Sequence, residues 1–93
     1  MRVLDYEDRF WYLLEDDKNL FLRVNCNHSA FGFSILIELD EIEKSKFKKT
    51  GRDCLSNFAS DFSFHALTKY KDRDVSKHYK DLTTNAIKKW RDR

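Results

Sequence analysis

The side chains with the most chemical reach in this chain are Cys26, Cys54, His28, His65 and His78, together with the grouped acids Asp16-Asp17 and Asp40, Glu41 and Glu43. A nucleophilic thiol needs a base within hydrogen-bond reach to take its proton. Cys54 and His65 stand eleven residues apart, which on one helix is about 16 Å. Cys26 and His28 share a strand face, roughly 6.6 Å apart at the backbone, too far for a ready ion pair. His28 therefore reads as a turn-stabilising residue. The three histidines show no HxH or HxxxH spacing, and the cysteines no CxxC, so no metal or cofactor site is expected. Both cysteines read as reduced structural thiols. Acids at turns and helix starts serve capping and solubility. Gly32 and Gly51 stand alone, which excludes a glycine-rich phosphate loop. The expectation is a non-catalytic protein.

The elements that would position these groups follow from hydrophobic spacing. The run Arg-Phe-Trp-Tyr-Leu-Leu at 9–14 reads as a first strand, and Asp16-Asp17-Lys18-Asn19 as a polar turn. Leu20, Leu22, Val24 and Cys26 then alternate with Phe21, Arg23 and Asn25, the period of a half-buried strand. Asn27-His28-Ser29 is a second turn. After it, Phe31, Phe33, Ile35, Ile37 and Leu39 lie on one face, with Ser34, Leu36 and Glu38 on the other. The prediction is a three-stranded antiparallel meander whose apolar face needs a cover.

That cover is expected from a helical segment at 41–66. Asp40 followed by Glu43 reads as a capping box that starts a helix at Glu41, and Gly51 as its stop or kink. Leu55, Phe58, Ala59, Phe62 and Ala66 then recur at helical spacing. A charged loop occupies 67–74. A last helix from Ser76 carries the stripe Tyr79, Leu82, Ala86, Ile87 and Trp90 and packs at the side. The fold class is thus α+β, one domain over residues 1–93.

Ninety-three residues bury roughly 60–65% of their unfolded surface, enough for one core but not for a deep substrate chamber as well. No run approaches the roughly 18 apolar residues of a membrane span, and acids stand where a signal peptide is apolar. A cytoplasmic monomer or small homo-oligomer without membrane association is expected. The net charge of +2 hides an asymmetry: residues 1–43 hold ten acidic and four basic side chains, residues 44–93 six and fourteen. Two binding classes follow. A negative patch of Glu15, Asp16, Asp17, Glu38, Asp40 and Glu41 suits a basic protein partner. Alternatively Lys44, Lys46, Lys48, Lys49 and Arg52, with Lys88, Lys89, Arg91 and Arg93 around Trp90, suit a nucleic-acid-binding or regulatory role.

The run from Trp11 to Ser34, then Ile37 to Glu43, Gly51 and Tyr70-Lys-Asp-Arg73, resembles a group of small bacterial proteins. Their shared features are a hairpin, an Asn/Cys/Ser-rich second strand, a Leu-Asx/Thr-x-x-Glu helix start and a Tyr-Lys-x-Arg segment. Many occur beside contact-dependent growth-inhibition or other polymorphic toxins and are similar to immunity proteins that bind and block a cognate toxin. The resemblance spans roughly residues 11–73. It implies a toxin domain as partner, often a nuclease with a basic substrate-binding surface. It also implies structural roles for the shared positions Asn25, Asn27, Gly51, Tyr70 and Arg73.

Overall fold

The computed structural model describes residues 1–26 and 33–92. Among these residues four strands form one antiparallel sheet in chain order: β1 (Arg2–Glu7), β2 (Trp11–Asp16), β3 (Asn19–Cys26) and β4 (Phe33–Glu38). Three helices follow: α1 (Glu41–Thr50), α2 (Arg52–Phe64) and α3 (Ser76–Arg91), with a 3₁₀ turn at Lys71–Arg73 before the last. The α+β class is as expected, but the sheet has one strand more than the predicted three. The extra strand is β1, and the strand predicted at 9–14 begins at Trp11 because Arg9 turns the chain at φ +62°.

The sheet buries both faces, because apolar residues occupy both sides of its inner strands. Trp11, Leu13, Leu22, Val24, Cys26, Ile35, Ile37 and Leu39 line one side. Leu55, Ala59 and Phe62 of α2 close over them, as does Ala66 just beyond it, so this helix seals the face the sequence assigns to it. Trp11 also donates its indole N–H to Ser56 Oγ at 3.3 Å. The predicted cover is only half of its segment, however. α1 buries no residue fully and meets the core through the partly buried Phe47.

On the opposite face Leu14, Phe21 and Leu36 form a second cluster with Ala86 and Ile87 of α3. The last helix is therefore a third layer and not a flank. Its buried stripe also differs: Thr83 is buried, while Leu82 is 49% exposed. Tyr79 has non-helical backbone angles that kink the helix, and the turns after it present Thr83, Ala86 and Ile87 to the sheet.

The hairpin of β2 and β3 closes through Asp17-Lys18, with Asp17 at φ +59°, a left-handed conformation that a short polar side chain tolerates. The turn expected at Asn27-His28-Ser29 lies outside the described residues. Both edges of the sheet are contacted from within the chain, β4 at three backbone groups and β1 at one. Beside β4, Leu36 donates its N–H to Asp74 Oδ1 at 3.0 Å and its carbonyl accepts from Val75 N–H at 2.8 Å. The Glu38 carbonyl accepts from Arg73 at 2.9 Å. On β1, the register skips Leu4 in a bulge, and the Tyr6 carbonyl accepts from Arg52 at 2.9 Å. Among the described residues, no helix is long and apolar enough to cross a membrane.

Candidate functional site

Antiparallel pairing decides where the acids go. Asp16 faces Asn19 across the β2–β3 turn, Glu38 faces Phe21, and Leu39 N–H donates to the Leu20 carbonyl at 2.8 Å. The β2–β3 turn and the β4–α1 connection therefore emerge at the same end of the sheet. This brings Glu15, Asp16, Asp17, Glu38, Asp40 and Glu41 to one end, although they lie in two separate stretches of sequence. Ile42, 69% exposed on the first turn of α1, adds an apolar side chain beside them. The end is partly neutralised. Arg2 Nη2 lies 2.7 Å from Glu15, Lys44 Nζ 2.9 Å from Glu41, and the amino-terminal nitrogen 3.7 Å from Asp16. Asp17, Glu38 and Asp40 have no cation within ion-pair distance among the described residues.

Asp40 has a second task. Its carboxylate accepts from Glu43 N–H at 2.8 Å while Glu43 Oε1 accepts from Asp40 N–H at 2.9 Å, the reciprocal capping box. Glu43 is in turn held by Arg73, whose guanidinium lies 5.8 Å from the centres of both the Phe62 and Tyr70 rings. The Glu43 hydrogen bond keeps the Arg73 guanidinium charged to even higher pH than usual. Tyr70, buried against Phe62, donates its hydroxyl to Asp61. Burial, then the bond to Asp61 and its charge, pushes that hydroxyl up to about 12. Gly51 joins α1 to α2 at φ +71° and ψ −148°, with its N–H donating to the Phe47 carbonyl at 2.8 Å. Asn25 lies within β3, where its N–H donates to the Phe10 carbonyl at 2.9 Å. Asn27 lies outside the described residues.

The basic residues divide into three groups. Arg52 reaches back to β1, 3.5 Å from Asp5 and 3.0 Å from Glu7, so it is spent within the fold. Lys46, Lys48 and Lys49 are on α1, with Lys46 and Lys49 lining a shallow recess beside Ile42. The third group surrounds a groove of about 270 Å³ between α3 and the β3–β4 half of the sheet. Arg23, Ser34, Ser76, Lys77, Lys80, Thr83 and Thr84 line it, and among the described residues its lining holds no thiol, imidazole or carboxylate. Arg23 also borders a neighbouring recess with Thr84, Lys88, Arg91 and Asp92. Sequence spacing gives no hint of this groove, because Arg23 sits on a strand some fifty residues before the helix it meets. Trp90 is not a bare stacking platform: its ring packs edge-on against Tyr6 and Tyr12 at 4.6 and 5.9 Å. Arg93 and His28 lie outside the described residues.

Among the described residues, the reactive side chains do not converge. Cys54 Sγ lies 3.2 Å from the Gly51 carbonyl at the start of α2, and His65 caps the far end of the same helix, 3.8 Å from Asp61. Cys26 is fully buried, and that burial pushes its thiol up. No group of three or more His, Cys, Asp or Glu residues able to hold a metal occurs among the described residues. Comparison of the chain with protein families, curated proteins and solved structures finds no match.

Proposed function

We propose that this protein is a non-catalytic, immunity-type binding domain that neutralises a cognate toxin domain by direct contact. The observation that carries the reading is the gathering of six acids from two stretches of sequence at one end of the sheet, next to the exposed Ile42. A charged rim around an apolar side chain is the arrangement by which interfaces select a partner and speed its approach. The complementary surface is a basic one, such as the substrate-binding cleft of a nuclease toxin. The resemblance of residues 11–73 to immunity proteins supports the same reading.

Co-expression with any toxin domain found encoded beside the gene, scored by bacterial growth, tests it. The native chain restores growth. The triple variant Asp17→Lys, Glu38→Lys, Glu41→Lys, confirmed as folded by circular dichroism, does not. Failure of the native chain to protect refutes the reading. Full protection by the folded triple variant removes the acidic end as the contact surface.

A further inference from the structure

Arg23 is a buried-face arginine without an acid. It lies on the sheet face that α3 covers, and none of its nitrogens reaches a carboxylate within ion-pair distance among the described residues. Its charged neighbour Arg91, which hydrogen-bonds Tyr12 at 3.1 Å, adds like charge and not compensation. A half-buried guanidinium left unpaired is costly, and an anion supplied from outside would satisfy it.

The helix above supplies the rest of a track. Lys77, Lys80, Lys88 and Arg91 border the two recesses that meet at Arg23. At 1.5 Å per residue Lys80 and Lys88 are about 12 Å apart along the axis and Lys88 and Arg91 about 4.5 Å, with Lys77 on the other side of the Tyr79 kink. Arg23, which lines both recesses, fills the wide gap between Lys80 and Lys88, opposite Thr84. The result is a line of five cations with Asp92 at its far end, in which Lys80 to Arg91 spans about 16.5 Å. A single phosphate would use one or two of them, whereas a chain of phosphates uses all. Arg23 lies down in the seam between α3 and the sheet, so phosphates that reach it must lie along that seam.

We propose that this seam is a binding track for the phosphodiester backbone of a single-stranded nucleic acid, centred on Arg23. The track is separate from the acidic end and does not depend on the toxin reading. The test is fluorescence anisotropy with a labelled oligothymidylate of about 12 nucleotides, within the usual range of single-strand sites, across a salt series. Five neutralised phosphates give a log–log salt slope of about −3.5, at 0.7 each, and Arg23→Gln and Lys80→Gln each reduce its magnitude by about 0.7. The paired change Lys46→Gln, Lys48→Gln on α1 leaves the slope unaltered. Lys80 is exposed, so its variant reports even if Arg23→Gln perturbs folding. Absence of binding at about 50 mM salt overturns the proposal. So does a slope that follows the α1 lysines, a duplex bound as tightly as the strand, or equal displacement by millimolar inorganic phosphate.

Discussion

Arg73 and Glu43, thirty residues apart, meet in a two-point ion pair: Nη2 lies 2.7 Å from Oε1 and Nη1 3.1 Å from Oε2. The same Glu43 oxygen that takes the shorter bond also caps the start of α1, so one carboxylate ties the helix start to the segment that leads into α3. Replacing Arg73 with lysine keeps the charge and loses the fork. We expect Arg73→Lys to cost about 1–2 kcal/mol in urea denaturation, and Arg73→Ala to cost about 1–3 kcal/mol. Equal stability of the lysine variant and the native chain would show that point charge alone suffices.

Tyr70 gives the fold a dependence on alkaline pH. Its hydroxyl is raised from 10 to about 12, by burial first and by Asp61 second. The folded state therefore holds this proton more tightly than the unfolded chain does. Its contribution is complete below pH 10 and is lost as pH climbs through about 12. The difference in stability between native protein and Tyr70→Phe should shrink across that window. Urea melts of both proteins at stepped pH check this, because ionising lysines cancel in the difference.

At Gly51 the cost of a side chain is conformational alone. An added Cβ would meet nothing within 4 Å, yet φ is +71° with ψ −148°, a region used almost only by glycine. Gly51→Ala should destabilise by about 1–3 kcal/mol, read as a lower urea midpoint at unchanged slope. A neutral result would mean that the junction of α1 and α2 relaxes without loss.

The third layer makes a separate claim. Phe21, fully buried beneath α3 and packed on Tyr79 at 4.9 Å, should cost about 3–5 kcal/mol on truncation to alanine. Leu82→Ala should stay within about 0.5 kcal/mol, since that side chain faces outward. Chemical denaturation of the two variants, side by side, distinguishes a helix seated on Thr83, Ala86 and Ile87 from one seated on Leu82.

What the sequence revealed and what it hid have specific causes. The capping box at Asp40 and Glu43 and the stripe Leu55, Ala59 and Phe62 were readable, because each depends on residues within one turn or one helix face. β1 escapes a reading by period because the Leu4 bulge breaks its two-residue alternation. The second core is hidden because two-residue alternation assigns Phe21 and Leu36 to the outer sides of half-buried strands, while both are buried. At the acidic end the residues were legible but their convergence was not, since strand register and not local spacing unites them. The Arg23 groove left no local signature at all. Its lining comes from β3, β4 and α3, and only the third layer creates it.

The two guarded margins of the sheet limit how this molecule can associate. Asp74, Val75 and Arg73 occupy outward backbone groups of the last strand, and a bulge with Arg52 interrupts the first. An incoming strand finds no continuous ladder to extend, so fibre growth by edge-to-edge stacking has poor footing. Recognition must then be written in side chains, which can change partner by point mutation while the scaffold stays the same.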